Sequence, residues 1–305
     1  MKLGLLTAAF PDATLDEIAD WAAANGFEAL EVACWPASEG AVRRYAGVCH
    51  IDVERLDDGG ARELLAGLER RGLSISGLAY YPNPLDPDPA ERERAAGHLT
   101  KVIDAAQRLG VPTVGTFVGR DRARTIEDNW TVFDEVWPPL VAHAAQRGVK
   151  IAIENCPMIF SGDEWPGGNN LAFAPAIWRE MFRRIPDDSF GLNLDPSHLV
   201  WQFIDCERAI YEFADRIFHT HGKDVEVRPG GLYEWGTMSA GVGWQVPRLC
   251  GLGQVDWPRF FAALYGVGYD GVVSIEHEDR RFEGTPELVR RGFLIARDTL
   301  RPFIH

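Results

Sequence analysis

Short apolar runs alternate along this chain with longer stretches in which apolar residues recur every three or four positions, and the rhythm begins at the first residues. Residues 2–8 read as a strand and 15–25 as an amphipathic helix that Gly26 can end in a left-handed cap. The series continues with strand 27–33, helix 61–71 closed by Gly72, strand 74–80, helix 91–109 closed by Gly110, strand 113–118, and helix 129–147 closed by Gly148. Strand 150–154 and helix 174–184 lead to strand 190–194, helix 205–214 and strand 216–220; helix 257–265, strand 271–276 and helix 286–300 finish the chain. Eight strands alternating with eight helices predict one α/β domain over residues 1–305, a (β/α)8 TIM barrel. Residues 157–173 and 225–256 are expected as long loops over its C-terminal face, and Pro82, Pro84 and Pro87 as a fixed loop. The competing doubly wound sheet lacks support, because no Gly-x-Gly-x-x-Gly follows the first strand.

Composition narrows the function classes. Apolar residues make up 46% and charged residues 25% of the 305, ordinary for a globular chain. The net charge of −14, with no run of Lys and Arg, argues against a nucleic-acid partner. Five cysteines without a Cys-x-x-Cys pair suggest free thiols in a reducing, cytoplasmic compartment. No apolar run approaches the roughly 20 residues of a membrane span, and the run at 3–10 is broken by Pro11 and Asp12 before it could serve as a signal-peptide core.

Four consecutive predicted strands end in an acid or an imidazole: Glu154, Asp195, His221 and Glu276. In a closed barrel these lie on one arc of the rim, and period-two alternation can turn each toward the axis. The same parity groups His219 with His221 and Lys223, and Asn193 with Asp195. A lone histidine is usually a hydrogen-bonded structural residue and a lone glutamate usually solvated, so it is their joint occurrence, each after a buried-type run, that marks a site. Three carboxylates and one imidazole suit Mn²⁺, with Mg²⁺, Co²⁺ and Zn²⁺ as alternatives.

The motifs Glu154-Asn155-Cys156-Pro157, Asp195-Pro196-Ser197-His198, His221-Gly222-Lys223-Asp224, Gly251-Leu252-Gly253-Gln254-Val255-Asp256-Trp257 and Ser274-Ile275-Glu276 resemble those of the sugar phosphate isomerase/epimerase proteins. That group belongs to the xylose-isomerase-like TIM barrel superfamily, with its ketose 3-epimerases, inosose isomerases and dehydratases, hydroxypyruvate isomerases and apurinic-site endonucleases. The resemblance covers nearly the whole chain and is most specific over residues 150–280. It implies that Glu154, Asp195, His221 and Glu276 bind one divalent cation and that His198 and Lys223 face the substrate. Trp35 and His50, after the second strand, and Trp165, in the 157–173 loop, complete the expected substrate-binding set. Endonucleases of this fold draw extra His and Glu metal ligands from the early strands; strands one to four here end without such a set.

A site of this kind acidifies the C–H beside a carbonyl and stabilises the resulting enediolate. Glu154 and Glu276 are then the catalytic pair: acting on opposite faces of a ketose or keto-cyclitol carbon they give epimerisation, and one base shuttling a proton gives isomerisation. Elimination of a beta substituent by a metal-dependent lyase or dehydratase is the alternative. A sugar-binding subunit with a structural metal is weaker, having no need of His198 and Lys223. The aromatic residues Met158 to Trp165 bracket, Phe160 among them, with Tyr233, Trp235 and Trp244, suit either sugar packing or a homo-oligomer interface. Arg228 and Arg248 are candidates for a phosphate, but no Gly-rich phosphate loop accompanies them, so an unphosphorylated substrate is expected.

Overall fold

A computed structural model describes residues 1–37, 47–158, 168–237 and 243–305. Ten strands occur among them: β1 (Lys2–Leu6), β2 (Ala29–Ala33), β3 (Ser74–Ala79), β4 (Thr113–Thr116), β5 (Lys150–Glu154), β6 (Phe190–Leu194), β7 (Ile217–Gly222), β8 (Asp224–Val227), β9 (Gln245–Arg248) and β10 (Val272–Ile275). Eight of them close a parallel barrel in the order β1-β10-β7-β6-β5-β4-β3-β2, the predicted (β/α)8 architecture. β2 and β6 are buried at every position, as strands are when helices cover one face and side chains fill the barrel on the other.

Helix starts are written in the sequence. Thr14 and Glu17 form a reciprocal capping box, and the side chains of Asp57, Asp88, Thr125, Asp205, Asp256 and Thr285 each accept a backbone N–H at the start of the helix that follows. Gly110 (φ 63°) and Gly148 (φ 66°) take the left-handed turn that ends their helices. Between helices and barrel, Phe133, Trp137 and Phe190 pack with ring centroids 5.4 to 6.3 Å apart.

Two register shifts shape the barrel interior. One lies between β6 and β7, where Phe218 is the extra residue between Ile217 and His219; the other lies between β2 and β3, where Ser76 is extra. Gly191 makes room for the first: a Cβ there would lie 2.3 Å from the Arg216 carbonyl oxygen and 2.4 Å from the Phe218 ring.

The stretch expected as a loop over 225–256 contains structure. β8 and β9 form an antiparallel hairpin with a helix, Pro229–Trp235, between them. Asp224 anchors its base, accepting from the N–H groups of Val225 (2.9 Å), Val255 (2.8 Å) and Gly251 (3.0 Å) and from the Trp257 indole (3.1 Å). Arg248 is buried and donates to Glu226 (2.8 Å) and Asp279 (2.9 Å), so its guanidinium is committed to the fold and not presented to a phosphate. Among the described residues, no helix is long and apolar enough to cross a membrane.

Candidate metal centre and active site

The strand ends converge. Glu154 closes β5, Asp195 follows β6, His221 lies in β7 and Glu276 follows β10; one donor atom from each falls within 4.8 Å of all the others. His221 Nδ1 is 3.2 Å from Glu276 Oε2 and 3.8 Å from Glu154 Oε1. Asp195 also caps the short helix Pro196–Val200 through Oδ1, which accepts from Ser197 N (2.8 Å), leaving Oδ2 to the centre. Glu154 Oε1, Asp195 Oδ2 and His221 Nδ1 are all buried with no hydrogen bond of proper geometry. Buried carboxylate oxygens left in that condition carry a large desolvation cost, which a cation held among them would offset. Three oxygens and one nitrogen around one point, Glu154 Oε1 and His221 Nδ1 among them without any hydrogen bond, fit a single hard divalent cation.

Charge is unevenly distributed around this point. Burial raises Glu154, but the His198 and His221 imidazoles and the Lys223 ammonium hold its carboxyl well below the usual range. Burial also raises Glu276, and there it prevails over the lowering effect of Lys223. Burial lowers His221, yet the Glu31 and Glu276 carboxylates push the imidazole well above its ordinary value. Lys223 Nζ lies 2.6 Å from Glu276 Oε2, 2.9 Å from Asp195 Oδ2, 3.2 Å from Glu278 Oε2 and 3.8 Å from Glu154 Oε1. The ammonium thus sits among the Glu154, Asp195 and Glu276 carboxylates themselves, and Glu278, unremarked in the sequence, joins the group.

His198 Nε2 is 3.5 Å from both Glu154 Oε1 and Asp195 Oδ2. Its other nitrogen, Nδ1, accepts from the Trp201 indole N–H at 3.2 Å, which assigns the ring proton to Nε2. His198 is therefore set as a hydrogen-bond donor facing the centre; ligation through Nε2 would force the proton onto Nδ1, against another donor.

The remaining sequence candidates fall elsewhere. Trp35 is buried and packs on Tyr80 and Tyr81 with centroids 6.0 and 6.1 Å apart, and Tyr81 in turn lies 6.3 Å from the His221 ring. His50 uses both ring nitrogens locally, on Thr7 Oγ1 (2.9 Å) and the Phe10 carbonyl (3.1 Å), so nothing in its geometry supports the expected substrate contact. Trp165 and Phe160 lie outside the described residues. Tyr233 and Trp235 are exposed, whereas Trp244 is buried edge-on against Trp201, 5.8 Å between centroids.

Beneath this group lies a buried polar layer in which His219 and Asn193, grouped with the site by parity, join Glu31, Tyr81 and Ser76, which motif reading missed. Tyr81 donates to Glu31 Oε1 (2.7 Å), Glu31 Oε2 meets His221 Nε2 (3.0 Å), and the Asn193 amide lies 2.9 Å from His221 Nε2 and 3.1 Å from His219 Nδ1. His219 Nε2 reaches Ser76 Oγ (3.1 Å), the bulged residue of β3. Burial raises Glu31, but the His221 and His219 imidazoles and the Tyr81 hydroxyl bring its carboxyl down to about 2. The available signal was a lone carboxylate inside the apolar run Ala29–Ala33.

With this geometry in hand, comparison places the chain. It belongs to the xylose isomerase-like TIM barrel family, which it matches over residues 19–298. It is 28% identical over 313 positions to the uncharacterized protein YfiH of Bacillus subtilis (strain 168), covering 92% of this chain and 93% of that one. Its fold is similar to D-psicose 3-epimerase from Clostridium cellulolyticum H10, solved with D-tagatose, with a TM-score of 0.70 and 18% identity over the whole of both chains. It is equally similar to the probable 3-DHS dehydratase AsbF of Bacillus anthracis, with a TM-score of 0.71 and 17% identity over 99% of each.

Proposed function

We propose that this protein is a divalent-metal-dependent isomerase or epimerase that moves a proton at the carbon next to the carbonyl of a ketose or keto-cyclitol. The observation that carries this reading is the convergence of Glu154, Asp195, His221 and Glu276 on one point, with Glu154 Oε1 and His221 Nδ1 buried and without hydrogen bonds. Those four residues would hold the cation, Mn²⁺ in the first instance. When bound, it supplies Lewis-acid stabilisation of the negative charge that develops on a carbonyl oxygen.

The chain's own residues account for the proton movements. Glu154 and Glu276 are the two carboxylates placed to take a proton from the substrate carbon and to return one. They stand on β5 and at the end of β10, with β6 and β7 between them, and so approach a bound sugar from different sides. His198 donates through Nε2–H, and Lys223 through its ammonium, to substrate oxygens. The reading places the protein in the cytoplasm, acting on a small unphosphorylated substrate.

Incubation with candidate ketoses and keto-cyclitols in D₂O with Mn²⁺ tests this. Deuterium appearing stereospecifically beside the carbonyl is the expected result, and no exchange with any of them would count against it. Elimination is the second reading, favoured by the equal likeness in fold to the probable dehydratase and by the shared first step. Release of a beta substituent without deuterium return to substrate or product would put it first.

A further inference from the structure

Glu31 belongs to none of the strand-end groups, yet it is a carboxylate 1% exposed inside the barrel. It stands mid-strand on β2 and reaches His221 on β7, with β1 and β10 between those strands in the barrel order. We infer that Glu31 is the positioning residue for His221, accepting the imidazole's Nε2–H and so directing Nδ1 into the ligand group. This inference rests on the metal site proposed above.

Three features carry it. First, Glu31 Oε2 and His221 Nε2 are 3.0 Å apart, and an ionised carboxylate can only accept, so the hydrogen between them is carried by Nε2. The Asn193 amide nitrogen, 2.9 Å from the same Nε2, donates to the Tyr81 hydroxyl at 3.1 Å, so the Nε2–H is left to Glu31. Second, Nδ1 is thereby the nitrogen left facing Glu154 and Glu276, and it is one of the buried atoms without a hydrogen bond. Third, the carboxylate is itself fixed. Tyr81 donates to its other oxygen at 2.7 Å, and Gly115 leaves room for the pair, since a Cβ there would lie 2.5 Å from the Tyr81 hydroxyl and 3.2 Å from Glu31 Oε1.

Glu31, His219 and His221 also present donor atoms within 4.8 Å of one another, which raises the alternative of a second cation. Their hydrogen bonds decide against it. His219 is engaged by Asn193 and Ser76, His221 Nε2 by Glu31, and Glu31 by Tyr81, so the group is already internally satisfied. A histidine ligand whose second nitrogen donates to a carboxylate is a more basic and better-oriented donor, and loss of such a partner costs roughly 10- to 100-fold in metal affinity.

The test is equilibrium dialysis with Mn²⁺ on wild type, Glu31→Gln and Tyr81→Phe, with visible spectra of the Co²⁺-loaded forms and thermal melts of the metal-free forms. Glu31→Gln is expected to weaken Mn²⁺ by at least roughly tenfold and to shift the Co²⁺ spectrum, while Tyr81→Phe weakens it less. A purely structural role for Glu31 would move the melting temperature and leave the Co²⁺ spectrum of folded protein unchanged. Should Glu31→Gln fail to fold, Tyr81→Phe decides, and unchanged affinity and spectrum in it overturn the inference. Wild type that takes up no Mn²⁺ or Co²⁺ overturns the metal reading itself and this inference with it; wild type and Glu31→Gln that bind alike overturn only the inference.

Discussion

The two arcs of the barrel are built from the same kind of strand and end differently. β5, β6, β7 and β10 each deliver one ionisable group to the rim, Glu154, Asp195, His221 and Glu276. β1 to β4 deliver Thr7, Trp35, Tyr80 with Tyr81, and Phe117: an aromatic wall and a hydroxyl already bonded to His50. The carboxylate of the early arc, Glu31, lies below the rim and touches the far side of His221. Chemistry at the end of a strand and support from its middle are thus separated by position, and the separation can be tested residue by residue.

The largest effect is expected on the late arc. Asp195→Ala should lower Mn²⁺ occupancy beyond the roughly 10- to 100-fold loss that outer contacts account for, measured by metal analysis of dialysed protein. Unchanged occupancy would remove Asp195 from the ligand set. Next, Glu154→Gln and Glu276→Gln should each slow solvent proton exchange by about 10²- to 10⁴-fold, read by NMR in D₂O at saturating Mn²⁺. Full epimerisation by either variant would end the two-base scheme. His198→Ala and Lys223→Ala should keep the metal and lose about 10²- to 10³-fold in turnover, the usual cost of removing a donor to a developing oxyanion; loss of metal in both would put them among the ligands. Acidity should act through His221, whose Nδ1 must give up its proton to bind a cation. Because neighbouring carboxylates hold that proton more tightly than usual, Mn²⁺ affinity is expected to fall as pH is lowered from 8 to 6, in titrations at fixed ionic strength. The smallest effect belongs to the early arc. Trp35→Leu should cost about 1 kcal/mol of substrate binding through the aromatic wall, seen as a several-fold rise in KM with metal content untouched.

The convergence at the rim was legible because Glu154, Asp195, His221 and Glu276 each follow an apolar run short enough to be one strand, so their places could be counted from the sequence. Glu31 was not, because in Ala-Leu-Glu-Val-Ala nothing marks a carboxylate that faces inward; its partners Tyr81 and His221 come from just beyond β3 and from β7, and only closure of the barrel brings them together. Ser76 and Phe218 are bulged, and a bulge shifts side-chain parity in a way that strict alternation does not foresee. The hairpin of β8 and β9 was hidden for a different reason: Val225, Val227 and Val246 are dispersed among Gly, Trp and charged residues with too little alternation to read as strands. His50 drew notice as a histidine in the loop after the second strand, but the neighbours that occupy its ring, Thr7 and Phe10, are about 40 residues away in sequence and are found only by folding.

The anchoring at Asp224 and Arg248 bears on how this barrel could change its diet. Asp224 directly follows Lys223 and ties the start of the hairpin to Gly251, Val255 and Trp257, while Arg248 clamps its return strand to Glu226 and Asp279. Whatever sequence occupies the stretch between Val227 and Gln245 therefore leaves and re-enters the barrel through a fixed collar. On the proposed reading, sequence change between Val227 and Gln245 is expected to leave Lys223 in place, because Asp224 and Arg248 hold both ends of the segment.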